Sequence, residues 1–318
     1  MRTLFLLFAL LVAAFAVPLH GSAASHVEKI FSEPAHFPLD PKEFFRNLDK
    51  VKTTQFVYRG QKARPGQFPQ QAFMTFNTSD GFSECGASLL SPTHALTAAH
   101  CVTDITSPAD IMAGAIDNVH LNASNAQWSS IHRVTIHSGF SETSRENDIA
   151  IVEFNPPMTL NQYVQVTKIV KNDEQLLQQK KSYVTGFGTY TFTNKEAVTS
   201  EDLLWAEIDL FDISRCHQHW NSTDAQKQIC AGAKNLGPGT GDSGGPLQVL
   251  HEGTLFQIGL TSFGTSDDEF DDEFNQDRFP TVFTRVSFYC DFIANVTVNA
   301  ATCSSIVQKR TTKPVYRF

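Results

Sequence analysis

Gly241-Asp242-Ser243-Gly244-Gly245-Pro246 sets a serine in a turn dense with glycine, and the apolar run Leu247 to Leu250 follows it directly. A serine hydroxyl is a poor nucleophile at its free pKa. It needs an adjacent base, and it needs hydrogen-bond donors for the oxyanion that forms when it attacks a carbonyl. Glycines let the backbone turn sharply enough to present such donors, here the amides of Gly241 and Ser243. Taken alone, the hexapeptide serves equally well as a polar turn ahead of a strand. The base and its acid must therefore come from elsewhere in the chain.

A base stands in Leu96-Thr97-Ala98-Ala99-His100-Cys101, where His100 ends an apolar, strand-like run and lies beside a cysteine. An acid stands in Asn147-Asp148-Ile149-Ala150-Ile151-Val152, where Asp148 opens an apolar run that should carry it inward. Each has a plainer reading, as a surface or core histidine and as a turn-forming aspartate. Around them the chain is a series of short apolar and β-branched runs broken by Gly, Pro, Asn and Ser: 72–76, 87–90, 95–98, 149–154, 182–185, 247–250 and 256–261. That spacing predicts an all-β sandwich or barrel. Helical periodicity appears near the end, where Phe288, Phe292, Ile293 and Val296 would line one face of a terminal helix.

The chain has 318 residues, 41% hydrophobic and 18% charged, enough to bury a large core. A net charge of -8 argues against a nucleic-acid partner. Arg2 followed by the apolar run Leu4 to Val17 and then small residues reads as a secretory signal over residues 1–24, cleaved after Ala16 or Ala24. The run is short for a membrane span, so no membrane anchor is expected. Residues 25–56 change to Pro, Phe, Lys and Asp without cysteine, which fits a removable pro-segment or a linker, with a short helix possible at 41–51. Six cysteines in a secreted chain imply three bridges among fifteen possible connectivities. Cys85 lies near Cys101, Cys216 near Cys230 and Cys290 near Cys303, and each bridge would contribute about 2–4 kcal/mol. Asn77, Asn122, Asn221 and Asn295 begin sequons for glycosylation. His217-Gln218-His219 lacks a further ligand cluster, so neither a metal nor a cofactor is expected.

The ordered motifs Cys85 to Ser91, Leu96 to Cys101, Asp148-Ile149-Ala150, Gly241 to Pro246 and Thr261-Ser262-Phe263-Gly264 resemble the chymotrypsin/trypsin family of serine proteases. The resemblance runs from Val57 to about Ile293. It implies two six-stranded antiparallel β-barrels with a C-terminal helix, and a triad of His100, Asp148 and Ser243 in the cleft between them. It implies the bridges Cys85–Cys101 and Cys216–Cys230, leaving Cys290–Cys303 as the remaining pair. A protease domain over 57–303 and a basic tail over 304–318 follow.

By the same resemblance, Gly237 takes the place at the base of the primary pocket where an aspartate would select Lys or Arg. Ser262, Phe263, Gly264 and Thr281 would form the walls, with Thr281 shortening the pocket toward medium apolar side chains. The family's usual bridge beside this pocket is missing, since Gly239 occupies one end and 265–279 holds no cysteine. The tandem Asp-Asp-Glu-Phe at 267–274 is read as a solvated acidic loop. The mature N-terminus falls at Val57, a cut after Arg59 that leaves Gly60 as the terminus being the alternative; the freed ammonium of Val57 would pair with Asp242, and in the uncut chain Asp242 is expected to turn outward. The expected product is a secreted, extracellular monomer that cleaves proteins or peptides and is open to protein inhibitors. The alternative is a protease-like fold that binds without cleaving, a class that betrays itself by a lost triad residue.

Overall fold

The computed structural model describes residues 27–30, 57, 60–79, 81–117, 125–193, 196–220, 223–265 and 275–306. The signal segment, most of the pro-segment with its expected helix, the acidic loop 267–273, Asn122, Asn221 and the tail from 307 lie outside them. In the first half the strands are β1 (Val27–Ile30), β2 (Gln61–Lys62), β3 (Gln71–Thr78), β4 (Gly81–Ser91), β5 (His94–Thr97), β6 (Thr106–Ala113), β7 (Gln127–Ile136) and β8 (Ala150–Asn155). The second half has helix α1 (Glu174–Leu177), β9 (Lys181–Gly186), the hairpin β10 (Thr189–Thr193) and β11 (Glu196–Thr199), and β12 (Leu204–Phe211). Helix α2 (Ile213–His217), β13 (Gln228–Gly232), β14 (Pro246–His251), β15 (Thr254–Phe263), β16 (Thr281–Arg285) and helix α3 (Cys290–Val296) complete it.

Two closed antiparallel barrels result. The first runs β7-β6-β3-β4-β5-β8 and closes through β7–β8; the second runs β13-β16-β15-β14-β9-β12 and closes through β12–β13. Closure gives every strand of each ring a neighbour on both sides along at least part of its length.

Strand alternation explains how the barrels meet. In β8 Ala150, Val152 and Phe154 fill the first barrel, whereas Ile151 points the other way, with Leu96 of β5 and Ile149, into a separate cluster with Leu260, Val286, Phe292 and Ile293. Both faces of the Ile149–Phe154 run are therefore buried, one inside a barrel and one against the partner barrel and α3. This is why the sequence there is almost continuously apolar rather than alternating.

Disulfides join Cys85–Cys101, Cys216–Cys230 and Cys290–Cys303, with Cα separations of 6.2, 5.9 and 5.7 Å. The last becomes possible because the chain reverses after α3 at Val298 and Asn299, both left-handed at φ 49° and 63°. One expectation needs correcting. The helix begins only at Cys290, so Phe288 lies in the preceding 3-10 turn and is 47% exposed instead of facing the core with Phe292 and Ile293. The start of the tail is tied to the body, since Ser304 N–H donates to the Ile169 carbonyl at 2.9 Å and Lys171 N–H donates to the Ser304 carbonyl at 3.0 Å.

Candidate active site

Asp148 is fixed before its side chain makes any contact. Asn147, immediately ahead of it, is left-handed at φ 53°. Its side-chain N–H donates to the Gly139 carbonyl at 2.7 Å, and the Tyr289 hydroxyl donates to its Oδ1 at 3.1 Å. The Thr284 hydroxyl donates to the Asp148 carbonyl at 2.8 Å. The carboxylate is fully buried and accepts three hydrogen bonds: from His100 N–H at 2.9 Å, from His100 Nδ1 at 2.7 Å and from the Ser262 hydroxyl at 2.5 Å. Burial pushes its pKa up, but the His100 charge and these hydrogen bonds outweigh that and hold it below the ordinary aspartate value. With Asp148 held on Nδ1, Nε2 is the ring nitrogen left to face Ser243.

The serine loop is seated between the barrels by its backbone. Gly86 N–H, from β4, donates to the Ser243 carbonyl at 2.8 Å, and Gly244 N–H donates to the Thr261 carbonyl at 2.8 Å. Gly241 and Gly244 adopt φ 95° and 74°, and a Cβ on Gly244 would sit 2.2 Å from Thr97 Oγ1, three residues before His100. Among the described residues the N–H groups of Gly241 and Ser243 are committed to no hydrogen bond, which is the state an oxyanion requires. Nor does the Ser243 hydroxyl bond to His100, whose Nε2 lies 3.9 Å from Cys101 Sγ. Such bonds commonly tighten only when substrate fills the site.

Asp242 differs from expectation. In the uncut chain its carboxylate is buried and turned inward, accepting from Gly188 N–H at 3.2 Å and Gly239 N–H at 3.1 Å. A Cβ on Gly186 would lie 1.9 Å from its Oδ1, so Gly186 makes room for it.

Around the expected pocket the structure adds a residue that sequence reasoning missed. Gln276 is 2% exposed and lies against Gly237, where a Cβ would meet its Oε1 at 1.9 Å. Its Nε2 donates to the Pro238 carbonyl at 2.6 Å, and its Oε1 accepts from the Thr281 hydroxyl at 3.1 Å. The amide thus spans from the loop before β16 to the segment before Ser243, across the gap where Gly239 offers no bridge. Gly264 faces Thr281 closely, since a Cβ there would be 3.1 Å from Thr281 Oγ1. Trp220 packs edge-on to Phe263 at 5.9 Å. Ser262 stands at the wall, but its hydroxyl is engaged by Asp148 rather than turned to a ligand. Nothing in the isolated sequence marked Gln276, because a lone glutamine beside an acidic repeat carries no pattern.

Glu84 stands in β4 next to Cys85, and burial pushes its carboxyl up to about 7 from its ordinary value of 4.5. A folded-state pKa raised above the unfolded one means that ionised Glu84 opposes folding. Its cost is absent below about pH 4.5 and fully present above about pH 7. Glu84→Gln should therefore raise the melting temperature at pH 8.5 and leave it unchanged near pH 4. An equal shift at both pH values in thermal denaturation would contradict this.

A family model described as Trypsin matches residues 57–293. Human chymotrypsin-like elastase family member 1 is 30% identical over 252 residues, covering 78% of this chain and 95% of that protein. The rat protein of the same name is 31% identical over 254 residues, covering 78% of this chain and 92% of its own length. Mouse chymotrypsin-C is 30% identical over 241 residues, covering 74% and 87% respectively.

Proposed function

Because this chain belongs to the trypsin family and is a serine endopeptidase, we propose that His100, Asp148 and Ser243 perform its chemistry. The observation that carries this reading is the His100–Asp148 pair at 2.7 Å, set beside a serine loop whose two amides are uncommitted. His100 Nε2 takes the proton of Ser243 as its oxygen attacks the scissile carbonyl. The oxyanion is held by the Gly241 and Ser243 amides. The imidazolium, stabilised by Asp148, then gives the proton to the leaving amine, and water drawn in by the same base hydrolyses the acyl-enzyme.

We assign the pocket to apolar side chains of medium size. Gly237 brings no charge, and the Gln276 amide supports a floor that Thr281 shortens, while Gly264 leaves the entrance open. An unpaired Lys or Arg there would cost several kcal/mol. The relatives named as elastases and chymotrypsin-C agree with this class. A peptide library should show cleavage after residues such as Val, Leu and Met, with Lys and Arg disfavoured. Gln276→Ala should raise kcat/KM for Phe relative to Val at least about tenfold, the low end of what one methylene of pocket space is worth. A profile dominated by Arg or Lys would overturn the assignment.

The leader and three disulfides support a secreted, extracellular protein, which we read as a monomer open to protein inhibitors that fill the same cleft. We read it as a zymogen cut at Phe56–Val57. Val57 is fully buried in the second barrel's core with Leu176 and Leu204, a socket that Gly60 could not fill as a terminus. The freed ammonium would add a full positive charge to the amides that already face Asp242 and so hold the oxyanion loop in place.

A further inference from the structure

Strand β1 comes from the segment assigned to removal, yet it is paired with the protease body. Val27 to Ile30 run antiparallel to β7, with Val27 opposite Ile136 and Ile30 opposite Arg133. The pairing fills a specific gap. Along its first part, Gln127 to Ser130, β7 pairs with β6. Beyond that point β6 leaves it: Thr106 and Ala109 pair with β3 alone, and Pro108 between them has no N–H to give. On its other side β7 pairs with β8 from Ser130 to Ile136, closing the barrel without help from β1. The stretch Arg133–Ile136 would thus present an unpaired edge, and β1 covers it. The Lys29 ammonium adds an anchor, donating to the Thr103 carbonyl, while the Thr103 hydroxyl donates to the His100 carbonyl at 3.3 Å.

We propose that the edge Arg133–Ile136 is a strand-accepting seat and that the pro-segment stays bound there, without a covalent link, after the chain is cut. The segment has no cysteine, and the six cysteines are all used in bridges within the body, so retention has to come from the ladder and Lys29. Main-chain bonds of an added strand supply affinity largely independent of sequence, and a lysine reaching a carbonyl at a fixed place supplies register. Before the cut, the tether gives the strand an effective concentration in the millimolar range. Afterwards the same contacts act between two chains, so the seat becomes concentration-dependent. The proposal rests on the reading that the cut falls at Phe56–Val57.

The precursor spanning residues 25–318 is cut, and Edman sequencing of the body establishes its first residue. Gel filtration at micromolar concentration and hydrogen exchange then follow the fragment. The expected result is a body starting at Val57 with fragment 25–56 co-eluting and with slow exchange at Arg133–Ile136. The double variant Glu28→Pro/Lys29→Pro, which removes a ladder N–H whichever residues face β7, should weaken retention at least about tenfold and expose those amides, with Tm of the body unchanged. A body starting at Val57 with its fragment lost, and with exchange at 133–136 the same as in the variant, would overturn the seat. A body starting elsewhere would refute the activation reading instead. The seat is then decided by adding synthetic peptide 25–36 to that body: protection of 133–136 supports it, and no protection refutes it.

Discussion

Ser243→Ala lowers kcat by about six orders of magnitude and leaves the protein folded, because the substitution removes the attacking oxygen and little else. The loop is held by backbone bonds from Gly86 and Gly244 and by the glycines at 241 and 244, none of which the change touches. The hydroxyl makes no hydrogen bond among the described residues, so Tm should move by little. KM should change far less than kcat, since the pocket and oxyanion amides remain. Residual turnover should be about 10³–10⁴ above water, supplied by those amides and by binding. Steady-state kinetics with a thermal melt on the same preparation checks both halves, and a loss below about a hundredfold would show that another nucleophile operates.

Asp148→Asn is expected to lower kcat about 10⁴-fold, with less effect on KM. Its oxygens accept from the His100 backbone, the His100 ring and the Ser262 hydroxyl. An amide at this position must turn an N–H toward one of these partners. Its oxygen best keeps the His100 backbone bond, so its N–H meets Nδ1 and reverses the imidazole tautomer. The proton then sits on Nε2, facing Ser243, and the base is lost. The buried site also loses the charge that stabilises the imidazolium, for which neither the Thr284 nor the Ser262 hydroxyl can substitute. Kinetics across pH should show the loss throughout the neutral range, and recovery to within tenfold of the parent would contradict the role given to Asp148.

The sequence made some strands plain and concealed others for identifiable reasons. β8 is apolar over most of its length because both of its faces meet buried surfaces, and the apolar runs at 149–154 and 247–250 mark β8 and β14, although Leu250 in the second is 49% exposed. β7 carries Ser129 and Ser130 in buried positions, satisfied by the Pro156 carbonyl at 2.5 Å and by Asp110 at 2.8 Å. Those local partners make a strand interior look like a loop in composition. β6 is hidden in the same way by Pro108. At the site, His100, Asp148 and Ser243 were legible as candidates because each lies two or three residues from the end of a strand, β5, β8 and β14, in a motif of several residues. Gln276 and Asn147 were not, because their roles come from what the fold places opposite them, Gly237 and Thr281 for one, Gly139 and Tyr289 for the other. The inward orientation of Asp242 depends likewise on Gly188, 54 residues away in the chain, together with the neighbouring Gly239.

The central claim is that Ser243 is an activated nucleophile, and a fluorophosphonate probe measures that property without knowledge of the natural substrate. Applied to the protein cut at Val57, it should label one residue, found at Ser243 by peptide mapping. Labelling should vanish in Ser243→Ala and fall steeply in Asp148→Asn, with both variants still folded. Undiminished labelling in Ser243→Ala, or none at all in the cut and folded parent, would contradict the account.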